Sequence, residues 1–257
     1  MKILENISLK PYNTFGLDVS ASEYTEVTDV DSLVNFIRAG KLEGKKHIIL
    51  GGGSNVLFTN DFDGLVIRNK IIGIEVKEMG NNKVLVTAGA GVVWDDLVSF
   101  CILNGLGGIE NLVKIPGSVG AGPIQNIGAY GVELKDTFYS LNAVEITTGI
   151  IRSFTNGECD FGYRDSIFKR EQKGMFFIVS VSLLLKSKGE PDISYGAISE
   201  ELIKMGIKDK PTIGDVGEAI SSIRRRKLPD HEVVGNAGSF FKNPVLEQKA
   251  FEKIRKE

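Results

Sequence analysis

Three consecutive glycines and two polar residues follow an apolar run in the stretch LGGGSNVLF: Gly51, Gly52, Gly53, Ser54 and Asn55. Glycine loses more conformational freedom on folding than any other residue, so three in a row need a physical reason. A strand that ends in a glycine turn exposes backbone N–H groups, and without Cβ atoms an anion can approach them closely. The stretch predicts a nest for a phosphate or diphosphate, and a tight turn that needs positive φ is an equally good interpretation. It is neither a P-loop nor a dinucleotide fingerprint, because the Lys-Ser/Thr pair and the third spaced glycine are missing.

A second glycine-rich segment, IPGSVGAGPIQNIGAYG, lies at 115–131 and contains five glycines. Its polar residues can supply hydrogen bonds and a ring that packs on a flat heterocycle, namely Gln125, Asn126 and Tyr130. We expect Ile124 and Ile127 to anchor the segment in the core. Two such loops in one chain favour one long ligand, and a buried glycine-rich crossover is the alternative.

Composition limits the function classes. The 257 residues are 42% hydrophobic and 25% charged, which suits one large or two ordinary domains. A formal net charge of −2 makes nucleic acid and anionic membranes unfavourable partners. Cys101 and Cys159 lack metal-ligand spacing, the N-terminal residues lack the apolar core of a signal peptide, and the longest apolar stretch is too short for a bilayer. We therefore expect a cytoplasmic protein without a disulfide framework.

Apolar periodicity predicts alternating strands and helices. Strands are expected at His47 to Leu50, Gly64 to Asn69, Val84 to Gly91, Leu141 to Gly149 and from Phe176 onward. Helices are expected in DSLVNFIRAG with a cap at Asp31 or Ser32, in WDDLVSFCILNG, and in TIGDVGEAISSIRRRKLPD, which stops before Pro229. The pattern predicts an α+β protein with mixed sheets, and the polar segment KSKGEPDISYG predicts a boundary.

Five motifs together resemble the UDP-N-acetylenolpyruvoylglucosamine reductase family: NTFG at 13–16, GGGSNVLF, IPGSVGAGPIQNIGAYG, GYRDSIFK at 162–169 and GNAGSFFKNP at 235–244. The resemblance covers nearly the whole chain. It implies a two-part FAD-binding domain of the vanillyl-alcohol oxidase (PCMH) type at 1–188, with subdomains at about 1–68 and 69–188, and an incomplete α/β substrate domain at 189–257. It also implies FAD, NADPH as co-substrate, a UDP-sugar substrate and a monomer.

The resemblance further implies which residues form the site. FAD would be bound by the two glycine loops, through Gly51, Gly52, Gly53, Ser54, Asn55, Gly117, Ser118, Gly120, Gly122, Gln125, Asn126, Gly128, Ala129 and Tyr130. Hydride addition to an enolpyruvyl double bond needs a fixed cation at the carboxylate and an acid for the neighbouring carbon. The family assigns these roles to Arg164, with Tyr163 beside it, and to Ser239. Without the motifs, Arg164 would be a surface ion pair and Ser239 a turn residue.

Substrate contacts are implied for three further residues, Tyr195, Lys227 and Asn243. The run RRRKLPD that contains Lys227 also suits a solvated helix end, whereas a nucleic-acid patch would have interleaved aromatic residues. Relatives that bind FAD covalently use a His or Cys in or near these loops. Here Ser54 follows the glycines and the only histidines are His47 and His231, so the flavin should be non-covalent.

The chain departs from the family in two ways. The family sequence continues beyond FKNP to a late catalytic glutamate, and Glu252 and Glu257 lie in no matching motif, so we expect a truncated form. Ala121 and Gly122 stand where relatives often carry hydroxyl residues. Two alternatives are another flavoprotein on the same fold, such as a sugar-acid oxidase, and a flavin-binding module without catalysis.

Overall fold

Two β-sheets and the helices packed on them form the computed structural model, which describes residues 1–230, 233–239 and 241–255. The strands are β1 Leu4–Ser8, β2 Ser20–Val27, β3 His47–Leu50, β4 Phe62–Asn69, β5 Ile74–Gly80, β6 Lys83–Gly89, β7 Leu106–Gly107, β8 Gly128–Ala129, β9 Val132–Glu133, β10 Phe138–Glu145, β11 Ile151–Thr155 and β12 Phe176–Ser187. The helices are α1 Val30–Arg38, α2 Trp94–Leu103, α3 Asn156–Cys159, α4 Gly196–Lys204, α5 Ile213–Lys227 and α6 Gln248–Ile254. Short 3₁₀ turns lie at Lys10–Tyr12, Glu110–Leu112, Val119–Ala121, Pro123–Gln125, Leu134–Asp136 and Ile167–Lys169.

The smaller sheet has the order β1-β2-β4-β3 and is mixed, since β4 runs parallel to both β2 and β3 while β1 is antiparallel to β2. Helix α1 packs on it through Leu33, Phe36 and Ile37, as the periodicity predicts. The cap is Asp29, whose carboxylate accepts a hydrogen bond from the Ser32 backbone N–H at 2.8 Å. The prediction of a cap at Asp31 or Ser32 was therefore wrong, because the helix begins one residue before Asp31.

The larger sheet has the order β11-β10-β12-β6-β5, and β7 also pairs with β12. Its strands all pair antiparallel, so the prediction of mixed sheets holds only for the smaller one. Strand β12 is apolar on both faces because it is covered on both: Phe177 and Val179 pack towards the smaller sheet, whereas Ile178 and Val181 join the core under α2.

Helices α4 and α5 follow the polar segment that predicts a boundary, and α5 ends at Lys227, before Pro229, as expected. Their buried residues Ile198, Leu202, Val216 and Ile220 belong to the same apolar cluster as the large sheet. The division into domains at 189 stays a prediction. Among the described helices, none combines the length and apolar character that a bilayer span requires.

Candidate active site

The two glycine-rich segments pack directly against each other. A Cβ atom on Gly51 would lie 2.1 Å from the Ser118 hydroxyl oxygen, and one on Gly52 would lie 3.0 Å from the Gly117 Cα. The Ser54 hydroxyl donates to the Pro116 carbonyl at 3.0 Å. These glycines are therefore needed first to let one loop approach the other, and the cradle that results is made of backbone.

Side chains extend the same contact along the loops. The Asn55 amide donates to the Gln125 side-chain oxygen at 3.0 Å, which joins the residue after the first glycine run to the middle of the second segment. Ile127 is buried and Ile124 packs on the core, so both anchor the second segment as predicted.

Gly53 is bound on the opposite side by the N-terminal turn of the NTFG motif. Its φ is +65°, and a Cβ atom there would lie 1.9 Å from the Tyr12 carbonyl oxygen. The Thr14 backbone N–H donates to the Gly53 carbonyl at 3.2 Å. The positive φ and the close backbone make this position glycine-specific.

Three neighbouring cavities border the contact between the two glycine-rich segments. The glycine cavity has a volume of about 560 Å³, and its walls include Gly51, Gly52, Gly117, Ser118 and Arg68. The middle cavity, of about 720 Å³, shares Gly52, Val93 and Gly117 with it. The arginine cavity, of about 430 Å³, shares Ile115, Pro116, Arg224, Leu228 and Gly238 with the middle cavity.

Nine of the residues implied by the motifs come together in the arginine cavity: Ser54, Asn55, Gln125, Gly128, Ala129, Tyr163, Arg164, Ser239 and Asn243. They derive from four separate segments of the chain. Gly122, together with Ala121, lines a further small cavity of about 170 Å³ beside Trp94. The structure thus places most of the predicted site residues in cavities that border the paired loops.

Arg164 is held by its neighbours. Its guanidinium donates to the carbonyl of Gly128, and to that of Asn126 at 3.4 Å, and lies 3.8 Å from the Glu133 carboxylate. It sits in a tight turn with φ at +54°, closed by reciprocal backbone hydrogen bonds between Gly162 and Asp165. These contacts orient the cation along a wall of the cavity.

Asn126 is completely buried, and protein groups use its hydrogen-bonding capacity. Its amide donates to the Glu133 carboxylate and to the Gly162 carbonyl, both at 3.0 Å, and its oxygen accepts from the Lys135 N–H at 3.0 Å. The side chain therefore ties the second glycine segment to the turn that carries Arg164.

Ser239 is exposed in the wall of the arginine cavity, and the segment before it is fixed by the NTFG turn. The Thr14 hydroxyl donates to the Asn236 carbonyl at 2.6 Å, and the Asn236 N–H donates to the Thr14 carbonyl at 3.0 Å. A Cβ on Gly235 would lie 2.2 Å from the Phe15 carbonyl oxygen. One N-terminal turn thus contacts both the first glycine loop and the segment that leads to Ser239.

Six residues that the resemblance implies line none of these four cavities: Gly53, Gly120, Asn126, Tyr130, Tyr195 and Lys227. Gly120 packs on Ala90, whose Cβ would lie 2.5 Å from a Cβ at position 120. The rings of Tyr130 and Tyr195 meet edge to face, with centroids 5.4 Å apart. Lys227 is the exposed last residue of α5. His231 and Glu257 lie outside the described residues.

Arg224, which the motif analysis did not single out, lines both the middle and the arginine cavities. Its Nε atom is buried and has no hydrogen-bond partner. Burial lowers the pKa of its guanidinium, and its charge opposes the burial that raises the pKa of the nearby Tyr130 hydroxyl. The sequence signal that places Arg224 on the inward face of α5 is its spacing four residues after the buried Ile220.

These features fit an extended diphosphate-bearing cofactor. The paired glycine loops present backbone to the cavities, and the half-buried Arg224, whose Nε atom has no hydrogen-bond partner, borders the middle cavity beside them. Within the described residues no cluster of side chains suits a metal ion.

Comparison with known proteins agrees with this geometry. Residues 21–155 match a family model described as an FAD binding domain. A protein from Flavobacterium johnsoniae named UDP-N-acetylenolpyruvoylglucosamine reductase is 48% identical over 257 residues, which are all of this chain and 75% of that protein. The chain belongs to the UDP-N-acetylenolpyruvoylglucosamine reductase family.

A second member of this reductase family, from Amoebophilus asiaticus, is 47% identical over 251 residues, covering 96% of this chain and 73% of its own length. Among solved structures, UDP-N-acetylenolpyruvylglucosamine reductase from Thermus caldophilus has a TM-score of 0.70 at 23% identity, covering 99% of this chain and 80% of that one. Cholesterol oxidase from Brevibacterium sterolicum has a TM-score of 0.51 at 15% identity, covering 72% and 38%. The predictions of the reductase family, of its FAD-binding fold and of FAD as cofactor are confirmed.

Proposed function

We propose that this protein reduces UDP-N-acetylglucosamine enolpyruvate to UDP-N-acetylmuramate, with NADPH as the reductant and FAD as the carrier. The observation that carries the proposal is the arginine cavity, where Arg164 and Ser239 from separate segments line one space next to the paired glycine loops. Family membership supports the reaction class, and the local geometry supports the roles of these residues.

The residues that would hold FAD are those of the glycine cradle and its neighbours, chiefly Gly51, Gly52, Gly117 and Ser118, with Asn55 and Gln125 at the next turn. When bound, FAD supplies a hydride acceptor for NADPH and a hydride donor for the enolpyruvyl double bond.

Arg164 would stabilise the negative charge that develops on the substrate carboxylate. Its position suits this role, because backbone carbonyls and Glu133 fix the guanidinium before any substrate arrives. Charge-stabilising groups are most effective when they need no rearrangement during the reaction.

Ser239 would donate the proton that completes reduction at the neighbouring carbon. A serine hydroxyl is a weak acid, and it suffices where the acceptor is a strongly basic carbanion. Tyr163 and Asn243 would contact the substrate from the same cavity. Tyr195 and Lys227 are proposed substrate contacts on the resemblance alone, as is a substrate domain that begins at 189.

Anaerobic mixing with NADPH tests the proposal. The flavin absorbance should bleach, and addition of UDP-N-acetylglucosamine enolpyruvate should then restore it. A flavin that is not bleached would leave a binding module without catalysis. Reduction by a sugar donor followed by rapid reoxidation with oxygen would instead indicate an oxidase.

We also propose non-covalent flavin in a monomeric, cytoplasmic protein. Cys101 and Cys159 are free, and both are fully buried away from the three cavities, which supports a reducing compartment and leaves no thiol at the cradle. Acid precipitation should release all the yellow colour into the supernatant. Colour retained on the pellet would refute non-covalent binding, and a dimer mass by light scattering would refute the monomer.

A further inference from the structure

Four consecutive basic residues end helix α5, and the structure gives them different surroundings. Arg226 forms a two-pronged ion pair with the buried Glu201, with the closest approach at 2.6 Å. Arg225 is exposed, borders the middle cavity and pairs with Glu218 at 2.5 Å. Lys227 is exposed and borders none of the three cavities. Of these four residues only Arg224 lines both the middle and the arginine cavities, and only its Nε atom is buried without a hydrogen-bond partner.

Other cations around the middle and arginine cavities already have partners. Lys169 donates to the Arg164 carbonyl at 3.0 Å, and Lys242 lies over the Tyr163 ring at 5.2 Å. Lys114 pairs with Asp95 at 2.7 Å, and Arg164 approaches Glu133 at 3.8 Å. Within the part of the chain that the structure describes, no carboxylate forms an ion pair with Arg224, and the nearby Asp95 is already paired with Lys114. A half-buried guanidinium with an unsatisfied N–H is costly, and an anion that arrives from outside would satisfy it.

We propose that Arg224 is the residue of α5 that binds a diphosphate in the cleft formed by the glycine, middle and arginine cavities. This inference rests on the proposed function, which brings two diphosphates to the cleft, one in FAD and one in the UDP-sugar. The guanidinium fork matches phosphate oxygens in a way that a lysine point charge does not. The middle cavity that Arg224 borders also contains Gly52 and Gly117, whose missing side chains allow a phosphate close to the backbone.

Equilibrium binding measurements distinguish the two candidate ligands, the diphosphate of FAD and that of the UDP-sugar. The full chain is first freed of flavin. Dissociation constants are measured for FAD and for riboflavin, which has no phosphate, by quenching of flavin fluorescence. The dissociation constant of UDP-N-acetylglucosamine for the FAD-loaded chain is measured by calorimetry. The variants are Arg224→Gln and Arg224→Lys. Arg225→Gln is the matched control, because it removes the same charge from the adjacent residue, whose guanidinium already pairs with Glu218.

Loss of one charge-assisted hydrogen-bonding partner should weaken diphosphate binding by about 10- to 100-fold. If Arg224→Gln weakens FAD and leaves riboflavin unchanged, the flavin diphosphate is the ligand. If it weakens only UDP-N-acetylglucosamine, the sugar nucleotide is the ligand. In either case Arg224→Lys should recover part of the loss, and Arg225→Gln should stay within about twofold of the unchanged chain.

Three results would overturn the inference. These are unchanged affinity for both diphosphates in Arg224→Gln, equal weakening of FAD and riboflavin, and equal losses in Arg224→Gln and Arg225→Gln. The Arg224→Lys variant keeps the test valid if the glutamine variant does not fold, because a diphosphate contact still predicts weaker FAD or UDP-sugar binding with riboflavin unchanged. Failure of the unaltered chain to bind any flavin would instead overturn the proposed function itself, and this inference with it.

Discussion

The two ends of the cleft, the glycine cavity and the arginine cavity, are lined by different parts of the chain: one by backbone and the other by side chains. At the glycine end the walls are backbone, and the positions of Gly51, Gly52 and Gly53 are set by main chain or by the short Ser118 side chain a few ångströms away. At the arginine end the functional groups are side chains, and Arg164 and Ser239 owe their positions to segments distant in sequence.

This difference separates two kinds of failure. A change at the glycine end meets close-packed backbone, which relaxes little, so it should damage folding and flavin binding together. A change at the arginine end removes a chemical group while the scaffold stays in place, so it should alter reactivity more than flavin affinity. The predictions below test this separation.

The largest effect is expected at the glycine end. Gly53→Ala places a Cβ 1.9 Å from the Tyr12 carbonyl at a φ of +65°, and should lower the free energy of unfolding by about 3 kcal/mol or more. The control is Gly44→Ala, where φ is +67° and nothing lies within 4 Å, with an expected cost of about 1 kcal/mol. Chemical denaturation measures both, and equal losses would show that the contact with Tyr12 does not matter.

Ser239→Ala should act only on chemistry. Reduction of flavin by NADPH should remain nearly unchanged, while transfer to the enolpyruvyl substrate slows by about 10²- to 10⁴-fold, because proton delivery is lost. Anaerobic stopped-flow absorbance measures the two half-reactions separately, so the first serves as the internal control. Equal slowing of both would contradict the role of Ser239.

A smaller effect concerns the helix that carries Arg224. Hydrogen bonds from Arg226 and then Ser222 lower the pKa of Glu201 to about 2, from an ordinary value of 4.5. Because the folded-state pKa is the lower one, the pair's stabilisation is fully present above about pH 4.5 and is lost as pH falls through about 2.

Glu201→Gln should therefore destabilise the protein at neutral pH, and its difference from the unaltered chain should shrink between about pH 4.5 and 2. Denaturation across this pH range checks the prediction. Glu218→Gln, which breaks the exposed pair with Arg225, is the control and should change stability little. A pH-independent difference for Glu201→Gln would contradict the ionic origin.

The smallest effect is expected at the turn that joins the two ends. Thr14→Val removes the 2.6 Å hydrogen bond to the Asn236 carbonyl at nearly constant volume, and should cost about 1 kcal/mol. It should slow the second half-reaction and leave flavin affinity unchanged, because only the Ser239 segment loosens. Thr28→Val, at an exposed threonine with a weak 3.4 Å contact, is the control. Weaker flavin binding in Thr14→Val would show that the turn supports the glycine end instead.

Much of the scaffold was predictable from local pattern. The strands β3, β4, β6, β10 and β12 and the helices α1, α2 and α5 follow from apolar periodicity and glycine or proline stops, because these signals act within a few residues. Strands β1, β2, β5 and β11 and helix α4 were missed, and most of these edge or surface elements have few buried residues or weak alternation.

The sequence predicts which residues belong to the site better than it predicts how they are arranged. The motifs identify Arg164, Ser239 and Gln125 as residues of one site, and all three line the arginine cavity. They do not indicate that Asn126 is buried and joins the second glycine segment to the turn that carries Arg164, since a polar side chain in a glycine loop is equally consistent with a ligand contact. Only long-range packing distinguishes the two.

By itself, the sequence determined the type of ligand, the family and the positions that must be glycine, because backbone freedom and ordered motifs are local properties. The tertiary structure decided why those glycines are needed and which cation faces the cleft. Arg224 follows Ile220 by four residues and Lys227 follows Ile223 by four, so helical periodicity treats them alike. The neighbours packed around the end of α5 partly bury Arg224 and leave Lys227 exposed, and this difference depends on segments far away in the chain.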